Sequence, residues 1–228
     1  MKATNIRARV RAEMTEEIKT IARRHLATDG ANLSLRAVAR DLGVVSSAIY
    51  RYFASRDELL TALILDAYNS LGRTVEDRER AVARDDFTGR WMAVCDSVRE
   101  WALERPHEYA LIYGSPVPGY QAPQDTVAAA TRAVTVLGTI IQDAAVAGRV
   151  RDDTTEPLAA AVVEDVRRAG SVIAPDVPDV VTARALSAWV TLFGSVSFEL
   201  FGQLNNVVLH RDEFFAHQMR VQARFVGI

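Results

Sequence analysis

The chain has 228 residues, 49% of them hydrophobic and 25% charged, which excludes a disordered or fibrous protein and allows one large domain or a small one joined to a larger. The single cysteine, Cys95, rules out an intramolecular disulfide and a Cys-rich zinc site, so a reducing cytoplasm fits best. The net charge of −2 hides an asymmetry: residues 1–56 hold 11 Lys+Arg against 5 Asp+Glu, whereas the rest hold 16 against 24. A basic segment of that kind suits contact with a polyanion, or else a solvated arginine-rich helix.

No apolar stretch follows the basic start Met1 to Arg7, as a signal peptide would require. No run of about 18 apolar residues suggests a membrane span either; the richest stretch, Trp189 to Phe201, contains Glu199. Strand-like alternation is nearly absent and helical periodicity recurs from end to end, so the expected fold class is all-α.

Ile18, Ile21, Ala22, His25 and Leu26 share one face of a first helix, expected over roughly 8–28 with Gly30 as its stop. A short second helix opens at Ser34, whose hydroxyl can cap it, and buries Leu35, Val38, Ala39 and Leu42 before Gly43 breaks it. A third, Ser46 to Phe53, turns Ile49 and Phe53 inward and Ser46, Ser47, Tyr50 and Arg51 outward. Ser55-Arg56-Asp57-Glu58 is a capping box, and the helix it opens is expected to reach about residue 82. A fifth helix, marked by Phe87, Trp91, Val94, Val98 and Trp101, stops before Pro106, and a brief one follows at His107 to Tyr113. Gly114 to Pro123 reads as a loop. Helices are then expected near 124–147 and 155–169, a loop at Ser171 to Asp179, and final helices near 180–204 and 211–226.

Helix, short helix, glycine turn, short helix is the order of a helix-turn-helix DNA reader. The run Leu35-Arg36-Ala37-Val38-Ala39-Arg40-Asp41-Leu42-Gly43-Val44, followed by Ala48-Ile49-Tyr50-Arg51-Tyr52-Phe53-Ala54-Ser55-Arg56-Asp57-Glu58-Leu59-Leu60, resembles the N-terminal domain of the TetR family of transcriptional regulators over roughly residues 10–65. The resemblance implies a DNA-binding domain at residues 1–58 and an effector-binding and dimerisation domain at 59–228, the function of a repressor, and no enzymatic activity.

Ser46, Ser47 and Ala48 lie where side chains reach base edges. Tyr50 and Tyr52 offer hydroxyls to phosphate, and the Tyr50 ring can also meet bases. Ser34 and Arg56 open helices whose first N–H groups suit phosphate. Arg51 suits either a bidentate guanine contact or a phosphate. Val45 stands where the family often has a capping Ser or Thr, which makes Ser46 the candidate cap and leaves open which of Ser46, Ser47 and Ala48 meets the bases. Arg7, Arg9 and Arg11 read as a basic arm or a disordered terminus.

Such readers act as symmetric dimers on pseudo-palindromic duplex sites, so a dimer surface is sought. Trp189, Phe193, Phe198 and Phe201, with Phe215 and Met219, give the last two helices apolar stripes that suit a four-helix interface between copies, or an intrachain core. This part also resembles a C-terminal domain type with Trp followed by His-Gly; Trp189 and Gly194 fit, but Phe193 replaces the His. The resemblance implies a small-molecule effector, and Trp91, Cys95, Trp101, Tyr109, Tyr113 and the loop around Tyr120 would give it a largely hydrophobic pocket.

Two rivals remain. An enzyme has no support from a nucleophile, P-loop or Rossmann motif, and no catalytic residue, cofactor or metal is expected. His25 reads as a satisfied core residue, His107-Glu108 as a helix start, and His210 and His217 with Asp212 and Glu213 as a polar helix start rather than metal ligands. An all-α dimeric adaptor without DNA binding is disfavoured by the basic first sixty residues.

Overall fold

The computed structural model describes residues 2–29, 33–151 and 157–228, the side chains of 2–5, 29 and 172 excepted, and among these every regular element is a helix. In order they are α1 (Lys2–Asp29), α2 (Leu35–Asp41), α3 (Ser46–Ile49), α4 (Arg56–Arg80), α5 (Phe87–Glu104), α6 (Pro106–Tyr113), α7 (Thr126–Ala130), α8 (Arg132–Val146), α9 (Ala160–Ile173), α10 (Asp179–Leu200) and α11 (Arg211–Val226). The chain forms two compact units, Met1–Asn69 with Arg105–Ala130, and Ser70–Glu104 with Thr131–Ile228.

The first unit closes over Ile18, Ile21, Ala22 and Leu26 of α1, Val38 and Ala39 of α2, Ile49, Phe53, and Leu59, Leu60 and Leu63 of α4. Val117 is buried in the same core, and Tyr120 packs on it with its hydroxyl 2.9 Å from Thr61 Oγ1. The loop after α6 is therefore part of this core. His25 is 9% exposed and its Nε2 lies 2.7 Å from Asp41 Oδ2, joining α1 to the end of α2 as a satisfied core residue. That bond holds the Asp41 carboxyl below its ordinary range, against the raising effect of partial desolvation.

In the second unit α5 is the central helix, packed against α8, α10 and α11. Its Trp91 is fully buried and donates Nε1–H to the Met219 carbonyl at 3.1 Å. Arg90, also without exposure, donates Nε–H to Glu79 Oε1 at 2.6 Å and Nη1–H to the Arg84 carbonyl at 3.0 Å, and sets Nη2 2.7 Å from Asp143 Oδ2. Arg99 donates two bonds of 2.7 Å to Glu199 and one of 2.6 Å to Asp212, fastening α5 to the end of α10 and the start of α11.

Several boundaries differ from the expectation, mostly where no Gly or Pro marks the change. α1 starts at Lys2, not near residue 8, because nothing between Lys2 and Glu17 breaks a helix; Arg7, Arg9 and Arg11 are thus helical and not an arm. Gly30 lies outside the described residues. α3 ends at Ile49, and Tyr50 to Tyr52 continue in tighter i→i+3 turns, with Arg51 N–H on the Ala48 carbonyl and Tyr52 N–H on that of Ile49. Ser46 does not cap α3: the N-cap is Val45, with no side-chain bond. The expected 124–147 helix is interrupted at Thr131. α9 runs on through Gly170 to Ile173, so Ser171 to Ile173 are helical and not loop; Gly170 is kept where a Cβ would stand 3.4 Å from the Thr182 methyl. α10 ends at Leu200, and Gly202, at φ 83°, follows in the turns beyond it.

Candidate functional site

The helix-turn-helix is set by three local devices. Ser34, extended at φ −125° and ψ 118°, accepts the Ala37 N–H on its hydroxyl at 3.4 Å and so starts α2. Gly43, at φ 73°, makes the turn that a β-carbon would strain. Ser55 Oγ accepts the Glu58 N–H at 3.1 Å while Glu58 Oε2 accepts the Ala54 N–H at 2.6 Å, which starts α4. Between them Ile49 and Phe53, 1% and 5% exposed, hold the recognition segment on the core.

Held that way, the segment presents Val45, Ser47, Tyr50 and Arg51 to solvent, with Ser46 and Ala48 partly covered. Tyr50 is 49% exposed, and its hydroxyl suits phosphate or a base edge. Tyr52 is half-buried against the core, under Arg11, whose guanidinium carbon lies 5.3 Å from the ring centroid. The same Arg11 donates Nη2–H to the Arg51 carbonyl at 3.0 Å. Arg11 therefore braces the end of the recognition segment, a contact across 40 positions that no local spacing signals. Ser34 is exposed. Arg56 donates Nε–H to the Leu33 carbonyl at 3.2 Å, so it supports the start of α2 as well as lying at that of α4.

The second unit holds an apolar cavity of about 50 Å³ between α5, α8, α9 and α10. Trp91, Leu137, Gly138, Ile173 and Trp189 line it, and among the described residues Thr182 is the one lining residue with a polar side chain besides the two tryptophans. Of the residues the sequence suggested for an effector, Trp91 is in this wall. Cys95 and Trp101 are buried in α5, where Trp101 donates Nε1–H to Ser70 Oγ at 3.1 Å. Tyr109 and Tyr113 belong to the first unit, their rings 5.1 Å apart. No local spacing announces the α8 and α9 lining residues, because the wall is assembled from four helices distant in sequence.

Along α10 and α11 the apolar stripes divide. Val190, Phe198 and Phe201 are 63%, 56% and 46% exposed, Trp189 is 37% exposed, and Phe193 is partly covered with its ring 6.1 Å from that of Trp189. Phe215 and Met219, expected on the same outer face, are instead buried at 3% and 0%, because they form the side of α11 that packs on α5. The exposed apolar residues of α11 are Phe214, Val221 and Phe225. By length and composition alone α10 could cross a membrane. Its Glu199, however, is 9% exposed and ion-paired with Arg99.

Comparison with known proteins finds matches along most of the chain. Residues 20–63 match the family model for bacterial regulatory proteins of the tetR family, and residues 91–222 match the model for a Tetracyclin repressor-like C-terminal domain. The chain is 40% identical over 197 residues to the HTH-type transcriptional regulator Rv1816 of Mycobacterium tuberculosis (strain ATCC 25618 / H37Rv), covering 85% of this chain and 83% of that protein. Regulator Mb1846 of Mycobacterium bovis matches with the same figures. The crystal structure of SCO4313, described as a candidate regulatory protein, is similar at TM-score 0.75 and 33% identity, over 94% of this chain and 97% of that one. The C-terminal match spans Phe193, so replacing the expected His leaves the relationship intact. With both halves matched and a relative this similar over most of its length, the chain belongs to the tetR family of helix-turn-helix transcriptional regulators.

Proposed function

We propose that the protein is a repressor that binds a pseudo-palindromic duplex operator as a homodimer and is controlled by a small, largely hydrophobic effector. Residues 1–58 read DNA, and 59–228 bind the effector and the second copy. The observation that carries this reading is the recognition segment, which turns Val45, Ser47, Tyr50 and Arg51 outward while Ile49 and Phe53 anchor it from within. Ser46, Ala48, Tyr52, Ser34 and Arg56 complete the DNA-facing set.

Support for a dimer comes from Val190, Phe198, Phe201, Phe214, Val221 and Phe225, large apolar side chains left in water on two neighbouring helices. A second copy offering the same face would cover them. A lipid surface is a poorer match, since the ion pair at Glu199 sits near the end of the same helix. Support for an effector comes from the apolar cavity, and for coupling from α4. That one helix carries Leu59 and Leu60 of the first core and also Glu76 and Glu79, which bond Arg132 of α8 and Arg90 of α5. An effector acts only by favouring one arrangement over another, here one in which the two recognition segments no longer match major-groove faces about 34 to 36 Å apart.

A fluorescence-anisotropy titration on the DNA upstream of the protein's own gene tests the reading. Sequence-specific binding that weakens steeply with salt, and that Tyr50→Ala reduces without loss of helix content, is expected. Equal weak binding to any duplex would overturn it.

A further inference from the structure

Thr182 differs from other helical threonines of the chain. Thr15, Thr20, Thr61, Thr135, Thr139 and Thr191 each return the hydroxyl proton to the carbonyl four residues back. Thr182 is only 9% exposed, yet among the described residues its hydroxyl forms no hydrogen bond, and the Pro178 carbonyl four residues back takes the backbone N–H of Thr182. The side chain lines the cavity, with Oγ1 and Cγ2 turned toward Gly170, 3.5 and 3.4 Å from where a Cβ on that glycine would stand. Its Oγ1 is not among the fully enclosed polar atoms left unpaired, so the hydroxyl keeps some accessible surface and is free to bond a small molecule.

The other walls set the rest of the chemistry. Trp91 and Trp189 present ring surface, and the indole N–H of Trp91 is already used on the Met219 carbonyl, so that ring offers carbon and not a donor. Among the described residues, none that lines the cavity carries a charge. An anionic or cationic ligand would leave water for a site without a counter-charge, which is far more costly than burying a neutral ring. Size sets an upper bound: about 50 Å³ is less than the ~150 Å³ of an apolar cavity that accepts benzene. A single ring fits only as the walls part, and several fused rings do not. At Gly138 the Ile173 methyl occupies the notch left by the missing side chain, so α8 and α9 approach closely there.

We propose that this cavity selects an uncharged single-ring aromatic molecule bearing one hydroxyl, which exchanges a hydrogen bond with Thr182 Oγ1 and stacks against Trp91 and Trp189. This rests on the effector reading above and narrows it to a ligand class. Thr182 is its specificity determinant.

The test uses p-cresol, toluene and benzoate as probes on the full chain, with binding followed by indole fluorescence and by the shift in unfolding temperature. p-Cresol is expected to bind about tenfold more tightly than toluene, as one buried hydrogen bond is worth, and benzoate not at all. Thr182→Val should remove the preference while leaving toluene unchanged, and Thr182→Ser, which keeps the hydroxyl, should retain it. Equal affinity for p-cresol and toluene, preference for benzoate, a preference that survives Thr182→Val, or no binding of any probe would each overturn the proposal. Operator release is measured separately on the same samples. Thr182-dependent p-cresol binding without release would sink effector control but leave the ligand class standing, and operator binding without p-cresol binding would do the reverse.

Discussion

Arg132 of α8 lies across Gly72 of α4 and gives Glu76 two hydrogen bonds, Nε to Oε1 at 2.8 Å and Nη2 to Oε2 at 2.7 Å. Gly72 is the condition for it: a Cβ there would stand 2.7 Å from Nε and 2.9 Å from Cβ and Cδ of Arg132. The paired guanidinium lowers the Glu76 carboxyl from its usual range, more than desolvation raises it. A carboxylate held down in the folded state stabilises the fold above its ordinary pKa, and that contribution disappears as pH falls through the lowered value. Glu76→Gln should cost roughly 1 kcal/mol at neutral pH, since the pair is bidentate but about a third exposed. Urea midpoints of wild type and variant should converge under acid conditions; a gap that persists there would refute the assignment.

Arg90 makes a larger demand, because its side chain has no exposure at all. Burial raises the Glu79 carboxyl, but bonds from Arg84 and Arg90 outweigh that and leave it lowered. Removing one member of such a set strands a buried charge. Arg90→Met should therefore cost about 3 kcal/mol, at the lower end for a broken buried pair because Arg84 stays on Glu79. Adding Glu79→Gln should restore part of the loss. Chemical denaturation of the four proteins in that cycle checks it, and strict additivity of the two substitutions would count against a coupled pair.

How far the sequence reveals these features depends on how locally each is specified. The helix-turn-helix core was legible because its signals are short-range: Ile18, Ile21, Ala22, His25 and Leu26 repeat at helical spacing and all prove buried, and Ser34, Gly43 and Ser55 act within three or four residues. Val117 and Tyr120 joined that core unannounced, because a loop residue has no periodicity to declare its partner. For α11 an apolar stripe could not say whether Phe215 and Met219 face a partner or their own α5; only tertiary packing decides. The cavity wall was hidden for the same reason, with Thr182 looking like any other helical threonine.

Cys95 offers a check on the packing of α5. The thiol is fully buried, and burial, with the nearby Asp96 charge adding to it, pushes its pKa well above the ordinary value. Dithionitrobenzoate should leave it unmodified in the native protein at pH 8 and react with one thiol per chain in denaturant. Rapid labelling of the folded protein would mean that α5 opens readily.

Arg11 separates bracing from phosphate contact. Its guanidinium bonds the Arg51 carbonyl and covers Tyr52, so Arg11→Ala should loosen the end of the recognition segment and weaken operator affinity by about tenfold. A lost phosphate contact would also lower the slope of log affinity against log salt by about 1. Bracing predicts an unchanged slope. Anisotropy titrations at several salt concentrations distinguish the two, and a slope lowered by a full unit would make Arg11 a DNA contact.

Phe198 carries the test of the dimer. It is 56% exposed on α10, on a different face from the Glu199 that pairs with Arg99, so Phe198→Glu should leave the protomer fold intact. A charge placed there in each copy would meet its own counterpart across a symmetric interface and would be desolvated without a partner. Light scattering after size exclusion should show the mass of one chain in place of two, with helix content preserved. Operator affinity should fall sharply in the same variant, because one recognition segment alone grips only half of a pseudo-palindrome. A dimeric variant would move the interface away from α10, and a monomeric one with full operator affinity would remove the need for a second copy.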